Sequence, residues 1–150
     1  MRKKNIFILS PALIIIFLDQ LTKFLIRKNF KLNESIPLIK NIFHLTYVNN
    51  TGSAFSAFQG YNLFFIIFSV AVIIIIIYYL KNIKENEKAM QFTVGLLLGG
   101  TFGNLIDRVL IGAVTDFMDF RIWPVFNIAD SAVTVSVIIF IILSSKIKDF

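Results

Sequence analysis

Residues 126–143 read FNIADSAVTVSVIIFIIL. From residue 132 onward this run carries no charge, and only Thr134 and Ser136 interrupt its apolar character. One carboxylate, Asp130, stands at its mouth. An ionisable side chain at the edge of hydrocarbon-grade sequence is costly, so something must hold it there. Three more stretches resemble this one. Residues 6–24 carry only Asp19 and Lys23, both late, while residues 61–80 and 89–106 carry no charge. Helices of 18–20 residues span roughly 27–30 Å, the thickness of a hydrocarbon core. The patterning predicts a mainly α membrane fold, a bundle of four transmembrane helices. They are expected over about residues 6–26, 61–80, 89–108 and 127–145, within a single domain covering residues 1–150.

Composition agrees with that expectation. The chain is 57% hydrophobic, above the 45–50% usual for soluble domains. The start, MRKKNIFILSPALIIIF, resembles a signal peptide in its basic and apolar regions. No small-x-small site closes the run, and Asp19, Gln20 and Lys23 follow it, so a retained first helix is expected. There is no cysteine, which excludes a disulfide framework, a cysteine nucleophile and a cysteine metal site. A lone histidine, His44, excludes a two-histidine zinc protease motif. The net charge of +6 points to anionic lipid headgroups, and no nucleic-acid signature accompanies it.

Basic residues divide unevenly. Arg2, Lys3, Lys4, Lys81, Lys84, Lys88, Lys146 and Lys148 lie at the ends and in the middle connector. Arg27, Lys28, Lys31, Lys40 and Arg121 lie in the other two connectors. The positive-inside rule then places both termini in the cytoplasm. On that topology Asp19 and Lys23, Asn104 and Arg108, and Asp130 all reach one depth near the outer face. The 34-residue connector 27–60 is long enough to be structured. Within it NIFHLTYV, residues 41–48, alternates with period two and reads as a strand. A small extracytoplasmic β element is therefore expected between helices 1 and 2.

Several polar groups stand out. Asp19 and Lys23 are four apart and share a helix face, as a structural ion pair or as one wall of a site. In GLLLGGTFGNLIDR, Gly95, Gly99 and Gly103 form a stripe that lets another helix approach. A second stripe, Gly100, Asn104 and Arg108, sets an amide and a guanidinium one turn apart, which requires a protein interior or a cavity. Asp107 is expected either to pair with Arg108 or to anchor backbone. Asn50–Thr51–Gly52 reads as a turn, and Ser53 lacks the elbow of a serine hydrolase.

VTDFMDFRIWPVFNIADS supplies Asp116, Asp119 and Asp130 on the outer side. Two carboxylates at the edge of a low-dielectric region repel, so one is forced to keep a proton. Such a pair serves as base and acid together. Paired-carboxylate hydrolysis is one reading. A polar-cavity transport or binding protein is the other, weakened by four short spans without an inverted repeat. Asp116 and Asp119 are an odd number apart, so in an extended segment they face opposite ways and only one can meet Asp130.

DQLTK (19–23), NTGSAF (50–55), GGTFGNLIDR (99–108), VTDF (114–117) and FNIADS (126–131) occur in order along nearly the whole chain. Together they resemble lipoprotein signal peptidase, also called signal peptidase II. The resemblance implies an intramembrane aspartic endopeptidase that needs no metal or cofactor. Its substrate is a prolipoprotein carrying diacylglycerol on its lipobox cysteine, cut just before that cysteine. By the same resemblance the catalytic pair is Asp116 and Asp130, with Asp116 selected over Asp119 by the V-x-D-F match. Supporting or substrate-binding positions carry over to Asp19, Lys23, Asn50, Gly52, Gly100, Asn104, Arg108 and Asn127. Inhibition by globomycin, a bacterial cytoplasmic (inner) membrane location, contact with membrane lipids and a monomeric state are further expectations. Two departures are mild: Ser53 stands where alanine is common, and the connector bearing the extra Asp119 is short. Asn50 and Asn127 are expected to donate to the reaction's tetrahedral diol, and Arg108 to hold the connector or the substrate backbone.

Overall fold

Hydropathy windows end at charged residues, but helical hydrogen bonding does not, so the first, third and last helices run past their apolar stretches. The computed structural model describes residues 3–52 and 60–147. It contains α1 (Lys3–Asn29), β1 (Ser35–Ile39), β2 (Phe43–Asn50), α2 (Asn62–Tyr79), α3 (Lys88–Leu110), β3 (Val114–Asp119) and α4 (Ile128–Ile147). A 3-10 turn, Leu80–Asn82, extends α2. The added residues of α1 include Arg27, which turns inward to Asp107, and Lys28, whose long stem lets a helix end project charge out of an apolar layer. All four helices are long and apolar enough to cross a membrane.

α3 is the centre of the bundle: half of its span is buried inside the molecule, against 11% for α2. Glycines make this possible. A Cβ on Gly99 would lie 2.8 Å from the Ala12 carbonyl oxygen of α1, and one on Gly95 would collide with Pro11 and Ile8. Gly103 continues this face, against Asp19. The expected stripe of three glycines is thus the face that receives α1. Gly100 points elsewhere, to the backbone of α4, where a Cβ would lie 2.5 Å from the Ala129 oxygen.

The burial pattern is that of a protein whose solvent is lipid. Among the described residues the largest fully buried side chains are all polar or charged: Lys23, Gln91, Asn127, Thr115, Asp19, Asp107, Asp116 and Ser136. Large apolar side chains such as Leu13, Phe17, Leu63 and Ile141 face outward. In water this would be an aggregating surface, but hydrocarbon makes no penalty of it.

The β element is larger than expected. It is an antiparallel sheet in the order β1-β2-β3, so the connector between α3 and α4 supplies a strand as well as the connector between α1 and α2. Strand β1 was missed because it is five residues long and contains Pro37, which signals an edge. Asn41, with φ of 63°, turns the β1–β2 hairpin. Pairs such as Val48↔Asp116 and Asn50↔Val114 hold β3 on β2. The sheet thereby fixes Asp116 relative to Asn50.

Gly99→Leu should lower stability by about 1–3 kcal/mol, the usual cost of overpacking, because the Ala12 backbone cannot retreat as a flexible side chain could. Thermal unfolding in detergent checks this. A melting temperature equal to wild type would mean that α1 and α3 are not in close backbone contact.

Candidate active site

The first turn of α4 explains Asp130. Asn127 is the residue before the helix, and its Oδ1 accepts the Asp130 N–H at 2.9 Å. In return an Asp130 carboxylate oxygen accepts the Asn127 N–H at 3.3 Å. This is a reciprocal capping box built from Asn and Asp. Asp19 of α1 reaches across to accept the Ala129 N–H at 2.9 Å. Three backbone donors at the helix start are therefore satisfied by side chains, and the positive end of the helix dipole favours both carboxylates.

Behind this cap lies a buried ionic cluster. Lys23 Nζ is 2.8 Å from Asp19 and 3.5 Å from Asp107, and all three side chains are inaccessible. Asp107 also accepts from Arg27 Nη1 at 3.4 Å and from the Thr115 N–H at 2.9 Å. Two cations and two carboxylates balance, as buried charges must. Asp107 is thus an anchor for β3 rather than a contact partner of Arg108.

Amides carry the network onward. Lys23 donates to Asn104 Oδ1 at 2.9 Å, and Asn104 Nδ2 donates to Asp130 Oδ1 at 2.7 Å. Asn127 Nδ2 lies 3.1 Å from Asn104 Oδ1 and donates to Asp116 Oδ1 at 2.6 Å. The other Asp116 oxygen accepts from Asn50 Nδ2 at 2.9 Å. Both asparagines expected to face a reaction intermediate are therefore committed to the Asp116 carboxylate. Burial first, and then the negative charge of Asp130, push Asp116 up to about 7, against the opposing bonds from Asn50 and Asn127. A carboxyl group poised there can both hold and release a proton near neutrality.

Asp116 and Asp130 line a cavity of about 1040 Å³. Its walls are mostly apolar, including Phe65 and Phe68 of α2, Leu97 of α3 and Val133 of α4. Asn50, Gly52, Asn104 and Arg108 also line it. Arg108 donates to the Gly52 carbonyl at 3.3 Å, and its guanidinium carbon lies 5.0 Å from the centre of the Phe65 ring. Arg108 therefore holds the end of the connector between β2 and α2. Gly52 in turn donates its N–H to Asn50 Oδ1, the expected turn. Asp19, Lys23 and Asn127 sit behind the wall, fully buried. Gly100 is not among the residues lining the cavity and packs against the α4 backbone. Ser53 lies outside the described residues.

Asp119 faces the opposite way from Asp116, as its spacing requires. It accepts from Thr46 Oγ1 at 2.7 Å and from both the N–H and the guanidinium of Arg121, at 2.8 and 2.9 Å. Partial burial raises its affinity for a proton, but these donors outweigh it and hold the carboxyl below its ordinary range. It is a standing anion in a local latch.

The family described as Signal peptidase (SPase) II matches residues 11–146. The chain belongs to the signal peptidase II family. A relative from Halothermothrix orenii, named Lipoprotein signal peptidase, is 47% identical over 132 residues, covering 87% of this chain and 90% of the relative. Another of that name, from Syntrophus aciditrophicus, is 37% identical and covers 95% of this chain and 94% of its own length. A bacterial membrane enzyme solved by the in meso method at 2.3 Å resolution superposes with a TM-score of 0.84 at 36% identity, covering 91% of this chain and 86% of that one. This is a multi-pass bacterial membrane protein.

Within this signal peptidase II member, two network residues escaped the sequence reading. Arg27 was counted only as a loop charge, although Asp19, Lys23 and Arg27 repeat every four residues and so share one helix face. Gln20 lies within DQLTK, where nothing local marks it for a role. It donates to Asp19, Asp107 and the Gly103 carbonyl, tying α1 to α3.

Lys23→Met should destabilise the fold by about 3–5 kcal/mol, because Asp19 and Asp107 lose a buried cation. Exposed Lys31→Met should change almost nothing. Unfolding of both variants in the same detergent is the check, and equal melting temperatures would remove Lys23 from the folding core.

Proposed function

We propose that this chain is an intramembrane aspartic endopeptidase that removes signal peptides from diacylglyceryl-modified prolipoproteins, with Asp116 and Asp130 as its catalytic pair. Family membership supports the substrate class. The observation that carries the assignment of residues is that Asp116 and Asp130 are the two acidic side chains among the described residues lining the large apolar cavity. Asp116 takes a proton near neutral pH, and the other described carboxylates are committed to cations, backbone or solvent.

The ionised aspartate takes a proton from water, and the hydroxide formed attacks the scissile carbonyl carbon. The protonated aspartate gives its proton to the carbonyl oxygen, yielding a gem-diol. The new acid then protonates the amide nitrogen as the C–N bond breaks, and the diol's second proton returns to the pair. The products are a signal peptide with a free carboxylate and a lipidated cysteine with a free amine. The apolar walls suit a signal-peptide helix, and the acyl chains remain in the bilayer, which positions the cysteine beside the pair. Asn50 and Asn127 orient Asp116, Asn104 orients Asp130, and Lys23 with Asp19 fixes Asn104 and the cap. Both termini face the cytoplasm and the site lies near the outer face, a placement supported by the distribution of lysine and arginine. No cofactor is required, the active unit is a monomer, and globomycin should occupy the same cavity.

Asp116→Asn and Asp130→Asn should each lower cleavage by roughly 10²–10⁴-fold or more with the fold retained. Asp119→Asn should stay within a few fold of wild type. The assay uses purified protein in detergent with a diacylglyceryl-modified prolipoprotein and the same precursor without lipid. Cleavage of the lipidated form alone, with that hierarchy, is the expected outcome. Equal losses at Asp119 and Asp116 would mean the wrong carboxylate was assigned.

The pH dependence has a definite sign. The raised Asp116 is protonated below about 7 and loses its proton as pH rises through that value. With both carboxylates ionised the pair has no acid, so kcat/KM should fall on the alkaline side with a midpoint near there. A profile flat through that pH excludes Asp116 as the group that holds the proton.

A further inference from the structure

The connector between β3 and α4 is pinned at its neck and apolar at its tip. Three backbone hydrogen bonds join Phe117, Met118 and Phe126, at 2.8–3.1 Å, and close residues 119–125 into a loop. The Asp119–Arg121 latch lies just inside that neck, with Arg121 in a left-handed conformation at φ of 66°. Phe120 is fixed by rings on both sides, 4.7 Å from Phe43 and 5.9 Å from Phe126. Past this neck the chain presents Ile122, 93% exposed, and Trp123, 61% exposed. A loop held this firmly has not simply left its apolar residues outside by disorder. The same two residues line the cavity that holds Asp116 and Asp130.

Exposed apolar tips are costly in water, and this chain already turns a continuous apolar surface to lipid on its helices. Tryptophan is favoured where the hydrocarbon meets the headgroups. We infer that Ile122 and Trp123 dip into the bilayer as the lipid-side lip of the cavity, over which the acyl chains of a lipidated substrate pass, still within the bilayer, as its cysteine enters the site. The occupant of this surface is therefore the membrane itself, continuous with the layer around α4. The latch is the reason for the extra carboxylate: Asp119 keeps the tip aimed. Ile122 and Trp123 are positioning residues for the lipid moiety and take no part in bond breaking. The passage of the acyl chains rests on the peptidase reading above, whereas insertion of the loop does not.

Trp123 is the chain's one tryptophan, so its fluorescence reports on this tip alone. The protein is reconstituted into vesicles of phosphatidylethanolamine and phosphatidylglycerol, with and without bromine on the acyl chains. Strong quenching by the brominated lipid and weak quenching by aqueous iodide are expected. The reverse pattern would overturn insertion. In the same vesicles Ile122→Ser should raise KM for a diacylglyceryl-modified precursor several-fold while kcat and melting temperature hold, and brominated-lipid quenching of Trp123 should weaken. An unchanged KM would overturn the lip, and so would a loss confined to kcat. Failure of the wild type to cleave any lipidated precursor would sink the peptidase reading and the passage of acyl chains with it, while the quenching result still decides the loop.

Discussion

The Asn127 side chain is the junction on which the rest of the site depends. Its oxygen caps the first turn of α4 and its nitrogen reaches Asp116 on β3, so one amide sets the helix carrying Asp130 against the strand carrying Asp116. Every other member of the network tightens this arrangement. Asp19 caps the next backbone donor, Asn104 fixes Asp130, and Asp107 holds β3 through the Thr115 N–H. In hydrocarbon an unpaired polar group costs several kcal/mol. The groups in this network are paired with one another, and pairing brings α1, α3, α4 and β3 to one point.

That economy explains an inverted architecture. A soluble enzyme hides its apolar side chains and builds its site at an edge. Here the outside is apolar by default, so polar contacts and glycine-lined backbone approach set the packing. Gly99 and Gly103 bring α1 close enough for Asp19 and Lys23 to reach α3, and Gly100 brings α4 close enough for Asn104 to reach Asp130. Packing and polar network are therefore one device: the small residues set the distance at which the hydrogen bonds close.

Much of this was legible in the residues. Uncharged runs of membrane length declare the helices, and polar residues at the ends of three of them converge because a bilayer leaves them nowhere else to go. The glycine stripe could be read because four-residue spacing fixes a face. Strand β3 was harder. It is one short strand between two helices, and its pairing with β2 is a long-range contact without a local signature. Strand β1 was concealed differently, by its five-residue length and by Pro37, which argues locally against a strand. The partner of Asp107 could not be chosen either, since neighbouring residues on a helix face apart, and only the fold reveals that Asp107 turns to Lys23, Arg27 and Thr115.

Asp130 now has two reasons to stand where it does. As a cap it belongs to the helix: it accepts a backbone donor that lipid could not satisfy, at the end of α4 whose dipole favours a negative charge. As a member of the proposed pair it raises the proton affinity of Asp116 through its own charge. The two roles are compatible because a carboxylate has two oxygens. One accepts the backbone N–H of Asn127, and the other accepts from Asn104. On the proposed mechanism a helix cap thus doubles as the charge that keeps a neighbouring acid protonated. The cost of placing a carboxylate at the membrane edge is met largely by the helix that carries it.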